Sequence, residues 1–234
     1  MNSDINQKPI LGADNNALVG LLSVNLVVFV ILGFLKVVYY LDSTPLEEFY
    51  KNIFHQFTLS NNGSVILNKP WSLLTYNWVH DGFWALFANM IWLTLFGYVL
   101  QNARANKHLF PIYFYSGLMG AIVFSVLAVM GTIVNPFFGA NVSVMAIALA
   151  TMIIVPQFKL LNNIGNGIPI WIVCVIYIVL QIVALKENQT ASIIATILSA
   201  CVGVLYAFLL KKEIDLGKWM HNLLNWVNKI GAPK

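Results

Sequence analysis

The sequence predicts an all-α membrane protein, a bundle of six transmembrane helices with interfacial helices in the first loop and the C-terminal tail. Three observations predict it. Of 234 residues, 59% are hydrophobic and 9% charged, against about 25% charged in an ordinary soluble domain. The apolar residues gather into six runs parted by polar segments. The basic residues then divide unevenly between alternate segments, as the membrane-insertion charge bias requires. A formal net charge of +4 suits cationic loops beside a membrane and argues against a nucleic-acid partner. Cys174 and Cys201 both fall inside apolar runs, which predicts buried thiols and excludes a disulfide framework.

Residues 1–16 read as a polar tail, 17–212 as the membrane domain and 213–234 as an amphipathic tail. The run 17–40 is long enough to cross a ~30 Å hydrocarbon core with tilt. It is too long for a signal-peptide core and shows no small-residue cleavage site. In the next connection, Thr44-Pro45-Leu46-Glu47 has the form of a capping box with proline at the first helical position. Leu46, Phe49, Tyr50, Ile53, Phe54 and Phe57 follow at helical spacing. They predict a helix lying in the interface with its apolar face down; the alternative is a helix packed on protein. Asn61-Asn62-Gly63 marks a turn.

The remaining spans are expected at 83–100, 110–130, 141–155, 168–185 and 191–210. With the N-terminus in the cytoplasm, the segments 101–109, 156–167 and 211–234 are cytoplasmic and, with Lys8, hold nine of the thirteen basic residues. Both termini are then cytoplasmic. In the tail, Leu216, Trp219, Met220, Leu223, Leu224, Val227 and Ile230 lie at helical spacing. They predict a surface helix over 214–230 with Trp219 in the headgroup layer, or else a partner-binding helix.

The fourth run is distinctive. Gly139 leads as a tight turn into a short helix rich in small residues: Ala140, Ser143, Ala146, Ala148 and Ala150. Small residues let neighbouring helices approach closely. The sixth run shows Ala191, Ala195, Ser199, Gly203 and Ala207 at intervals of four, a second stripe for close packing. Asn141 and Ser143 are polar groups placed in this apolar setting, where such groups mark a candidate site.

Several stretches, in order and spacing, resemble the rhomboid intramembrane proteases in their six-span bacterial form. They are Trp71-Ser72-Leu73-Leu74-Thr75-Tyr76 with His80, Asn89-Met90 with Leu95-Phe96-Gly97, Tyr113 to Gly120, Gly139-Ala140 with Val144-Met145-Ala146, and Ala195 with Ala200 and Gly203. The resemblance covers about residues 17–212 and implies a bacterial inner-membrane location. In that family a serine two positions after the fourth-span glycine is the nucleophile. A sixth-span histidine after an alanine is the general base, and a second-span histidine and asparagine serve the oxyanion. A hydroxyl needs a base to become a nucleophile, and the oxyanion needs preorganised donors.

Carried over, the nucleophile position is Asn141, the base position Thr196 and the oxyanion histidine position Ala85. None of these can serve. Asn89, His80, Trp71 and Gly139 keep the family's residues, while the arginine that often follows the tryptophan is Ser72. No catalytic residue is therefore expected. Ser143 lies about 200° around the helix from Asn141 and should face elsewhere. His55, His108 and His221 fall in loops or tails. Only His80 is near the site, and Asp81 beside it should point away. The sequence shows no metal-ligand spacing such as HExxH, and no metal or cofactor is expected.

The resemblance implies a catalytically inactive rhomboid-like pseudoprotease that binds transmembrane segments of client or partner proteins, as adaptor, chaperone or complex subunit, with membrane lipid around it. The alternative is an active intramembrane serine protease with a non-standard site. An interhelical hydrogen bond between Asn141 and Thr196 is expected, or else a bond from Thr196 back to the carbonyl of residue 192.

Overall fold

The structure, a computed structural model, describes residues 17–103, 106–131, 135–161, 166–184, 190–220 and 222. The chain is an all-α membrane bundle. Helix α1 (Ala17–Leu41) buries only Leu18, Leu21, Asn25 and Leu32 of its 25 residues, so most of its surface is left for lipid. A broken helical segment follows: α2 (Leu46–Phe49), a π-helical turn Tyr50–Phe54, and α3 (His55–Phe57). Short helices α4 (Gly63–Asn68) and α5 (Ser72–Thr75) and a 3-10 turn Tyr76–Trp78 lead into α6 (Phe83–Asn102). Next come α7 (Asn106–Val129), α8 (Asn141–Ile154), α9 (Ile170–Val183) and α10 (Thr190–Lys211).

Four of these, α1, α6, α7 and α10, are long and apolar enough to cross a membrane. Helices α8 and α9 are apolar but have 14 residues each, about 21 Å at 1.5 Å per residue. Nine residues of α8 are buried, and it is packed by α6, α7, α9 and α10. It is the centre of the bundle, and its shortness is tolerated because protein, not lipid, surrounds it.

The α8–α10 seam is the most extensive helix contact among the described residues. Ala191, Ala195, Ser199, Gly203 and Ala207 are all buried, as the spacing by fours predicts. A Cβ on Gly203 would lie 2.2 Å from the Ala146 carbonyl oxygen, so backbone meets backbone there.

Several local expectations are corrected. The capping box is absent: α2 begins at Leu46 with no side-chain cap, and Thr44 Oγ1 donates instead to Asp42 Oδ2 at 3.0 Å. Asn62 is more than a turn residue, since its Oδ1 caps α4 by accepting from Ser64 N–H at 3.0 Å. The apolar face of the 46–57 segment goes partly into protein: Phe49 and Phe54 are buried and cluster with Leu32 and Val79, while Leu46 and Phe57 stay exposed. Cys174 is buried as expected, but Cys201 is exposed on the outside of α10. A two-stranded antiparallel pair, β1 (Lys159–Leu160) with β2 (Ile168–Pro169), closes the α8–α9 connection.

Two expected loop histidines are helical. His55 opens α3. His108 is buried on α7, its Nδ1 3.0 Å from Tyr206 Oη and 3.6 Å from Asp215 Oδ1. Asp215 also accepts from Gly217 N–H at 2.8 Å and pairs with Lys107 at 3.7 Å, so the start of the tail is strapped to α7. Residues 214–217 are non-helical, contrary to expectation, and helix resumes at Lys218. Trp219 is half exposed and its indole N–H donates to Tyr115 Oη. Met220 and Asn222 are helical; His221 and residues 223–230 of the expected tail helix lie outside the described residues.

Candidate functional site

The site is built from the turn before α8. Phe137 pairs with Leu59 through two backbone hydrogen bonds, 3.0 and 2.9 Å, and Gly139 N–H donates to the Tyr76 carbonyl at 2.9 Å. Gly139 has φ +101°, a left-handed conformation that a side chain resists. The turn is thus held from two sides, and it starts α8 with Asn141 at the first helical position.

Asn141 Oδ1 accepts from Asn89 Nδ2 at 2.7 Å. The same Asn89 nitrogen donates to the Ala85 carbonyl at 3.0 Å. A carboxamide has two N–H donors, and both are committed here. Of the positions implied by the resemblance, the structure brings Asn89 and Asn141 together.

The expected bond between Asn141 and Thr196 is not formed. Thr196 Oγ1 donates to the Ser192 carbonyl at 2.8 Å, along its own helix. A threonine hydroxyl on a short stem readily reaches the carbonyl four residues back on its own helix. The longer Asn89 carboxamide spans the gap from α6. The polar tie therefore joins α8 to α6, not to α10. Ala85 is exposed and adds only a methyl group.

His80 is buried, 3% exposed. Its Nδ1 lies 3.3 Å from the Trp78 carbonyl, and its Nε2 accepts from Ala140 N–H at 3.5 Å. This arrangement suits the tautomer protonated at Nδ1. Burial holds its pKa down to about 4, with the Trp78 bond opposing weakly. His80 therefore supports the first turn of α8. Asp81 is not on a helix but in the bend before α6, where its Oδ1 accepts from Tyr50 Oη at 2.7 Å. Trp71 is half exposed and donates to the Gln56 carbonyl at 2.8 Å, joining α5 to the 46–57 segment.

The His80 geometry predicts a pH dependence of stability. The unfolded chain binds a proton near the ordinary value of 6.5, and the folded chain not until about 4. Stability is at its full value above pH 6.5 and falls as the pH drops toward 4, by about 3 kcal/mol over that window. Melting of the detergent-solubilised protein between pH 7.5 and 4.5 measures this. His80→Gln should flatten the profile; an unchanged slope in that variant would place the titrating group elsewhere.

Ser143 points away from the Asn89–Asn141 pair. It is fully buried, donates to the Tyr113 carbonyl at 2.7 Å and accepts from Asn77 Nδ2 at 2.8 Å. Asn25 extends this network, donating to Tyr113 Oη at 3.4 Å and to the Leu21 carbonyl at 2.8 Å, and Tyr113 Oη donates to the Asn77 carbonyl at 3.0 Å. Sequence reasoning missed Asn25 and Asn77. Asn25 had a readable signal, a carboxamide alone in an otherwise apolar run. Among the described residues, no group of three His, Cys, Asp or Glu side chains could hold a metal ion.

Part of α9 is left open. Tyr177 packs on Trp92 and Phe96 of α6, with centroids 4.9 and 5.7 Å apart. Ile170, Val173, Cys174 and Tyr177 are the buried residues of α9, and nothing described after Tyr177 on that helix is buried. On α6 the face that carries Trp92 continues at Ala88 and Ala85, four and seven residues back, and both are exposed.

The sequence model of the Rhomboid domain matches residues 67–213, which runs from the end of α4 past the end of α10. Among curated proteins, none matches the chain significantly. The match takes in the α8–α10 seam, the turn at Gly139 and the Asn89–Asn141 pair, and well over half of the sequence; the chain belongs to the rhomboid family.

Proposed function

We propose that this rhomboid-family membrane protein is a pseudoprotease that binds transmembrane helices of other proteins without cutting them. One observation carries the reading. At the place where the family resemblance puts a nucleophile, a carboxamide accepts a hydrogen bond from the single retained oxyanion residue, Asn89. An amide nitrogen is delocalised and has no proton that a base could remove to make a nucleophile. The Asn89 donors that could stabilise an oxyanion are already engaged, whereas oxyanion stabilisation needs donors free and aimed at the developing charge.

Helix binding is supported by the open part of α9. Ala85 and Ala88 offer a small-residue surface on α6, and Val179, Ile182 and Val183 on α9 are exposed. Small residues let a foreign helix approach the backbone closely. By the charge bias, this opening faces away from the cytoplasm in a bacterial inner membrane, with both termini inside. The reading of an active protease with a non-standard site finds no comparable support. Ser143, two residues after Asn141 in sequence, is fully buried, and its hydrogen is held by the Tyr113 carbonyl.

The test is direct. Purified protein should leave model rhomboid substrates uncut and should not be labelled by a fluorophosphonate probe. Labelling that disappears on Ser143→Ala would overturn the proposal. Photo-crosslinking from position 85 should capture membrane-protein partners in cells, and an absence of adducts there would remove the helix-binding part.

A further inference from the structure

A cavity lined in part by His80 lies outside the Asn89–Asn141 pair, neither of which lines it. It measures about 230 Å³ and sits between α1, the π-helical turn and the bend before α6. Phe29, Leu32, Phe49, Phe54 and Phe83 form its apolar wall. The π-helical turn creates that wall. Phe49 and Phe54 are five residues apart and would diverge by about 140° on a regular α-helix. The wider π geometry lines up positions five apart, and both rings are buried.

The cavity ends in a charged rim. Lys36 Nζ donates to Tyr50 Oη at 2.7 Å and lies 4.9 Å from the centre of the Tyr50 ring. Tyr50 Oη donates to Asp81 Oδ1 at 2.7 Å, and Lys36 lies 3.8 Å from the same oxygen. The Lys36 ammonium has three donors, of which Tyr50 takes one; Asp81, at 3.8 Å, is an ion-pair partner beyond hydrogen-bond reach. Asp81 Oδ2 makes no bond among the described residues. Lys36 and Asp81 are 36% and 42% exposed, so a ligand can reach both. Lys36 is five residues from the end of α1, about 7.5 Å along the axis, which places the rim at headgroup depth.

We propose that this cavity binds a phospholipid with an ethanolamine headgroup. One acyl chain enters the apolar cleft, the phosphate meets Lys36 and the primary ammonium meets Asp81 Oδ2. The volume is below the roughly 300–1,000 Å³ of a typical small-molecule pocket, and suits one narrow chain. The paired charges select a zwitterion. An anionic headgroup without an amine leaves Asp81 facing phosphate, a repulsive contact that works against the wrong lipid. The other polar group on the wall, His80, is neutral and already bonded to the Trp78 and Ala140 backbone, so it does not alter this balance. The site does not depend on whether the Asn141 region is catalytic.

Native mass spectrometry of the full chain, titrated with dioleoyl phosphatidylethanolamine or dioleoyl phosphatidylglycerol, tests this. The wild type should retain the ethanolamine lipid roughly fivefold more tightly. Asp81→Asn should abolish that preference while the fold, followed by melting, is kept. Gly33 lines the cavity, and a Cβ added there meets no atom within 4 Å, so Gly33→Phe should fill the space and weaken both lipids. Equal retention of the two lipids by the wild type, a preference that survives Asp81→Asn, or undiminished binding in Gly33→Phe would each overturn the proposal.

Discussion

Gly203→Val is expected to abolish recovery of folded, monodisperse protein. The Cβ of any substituent would lie 2.2 Å from the Ala146 carbonyl oxygen and 2.7 Å from its carbon. Those are backbone atoms of the central helix, so they cannot turn aside as a side chain can. Ordinary overpacking costs about 1–3 kcal/mol because side chains shift to absorb it. Here α10 must move away from α8 along a stripe that includes Ala195, Ser199 and Ala207, all buried. The loss should exceed about 3 kcal/mol, a large share of a total stability of about 5–15 kcal/mol. Even Gly203→Ala should melt well below the wild type. Gly33→Ala is the control: it too is a glycine in a long helix, but its Cβ meets open space. It should be neutral or stabilising by up to about 1 kcal/mol. Equal melting of Gly203→Ala and the wild type would refute the close α8–α10 seam.

The second large effect concerns reactivation. Asn141→Ser with Thr196→His restores the two residues that the resemblance names as nucleophile and base, yet this double variant should remain without detectable cleavage. Ala85 still supplies only a methyl group. Asn89, released from Asn141, keeps its second bond to the Ala85 carbonyl. One missing oxyanion donor costs about 10²–10³ in kcat for a serine protease. Adding Ala85→His should therefore raise any cleavage by about that factor over the double variant. Robust cleavage by the double variant alone would mean that the remaining scaffold is still catalytically preorganised.

Much of the architecture was legible because membranes enforce a simple rule. Backbone polar groups in hydrocarbon must be paired within the segment, so long apolar runs have little choice but helix. The ranges expected for α1, α6, α7 and α10 lie close to those observed for this reason. The sixth-run stripe was legible too, since a four-residue interval of small side chains has few uses besides helix packing. The first loop was harder to read. Phe49 and Phe54 share a face only because the backbone is π-helical there, and no residue pattern in that segment announces it. Cys201 was misplaced because apolar composition in a membrane helix does not distinguish a protein-facing from a lipid-facing side.

Composition and spacing by themselves determined that this chain is a helical membrane protein and that small residues line two of its spans; the resemblance to rhomboid proteases implied that the matched catalytic positions hold Asn141, Thr196 and Ala85. Only the tertiary structure decided who bonds to whom. Thr196 and Asn141 are both able to donate and accept, and the sequence allowed them to join. The choice fell to reach: a helix already offers threonine a carbonyl four residues back, at 2.8 Å. Asn89 on α6 is the group whose length and direction bring a donor to Asn141 at 2.7 Å. Hydrogen bonds are short and directional, so their partners follow from the placement of three helices in space, which hydrophobic periodicity does not specify.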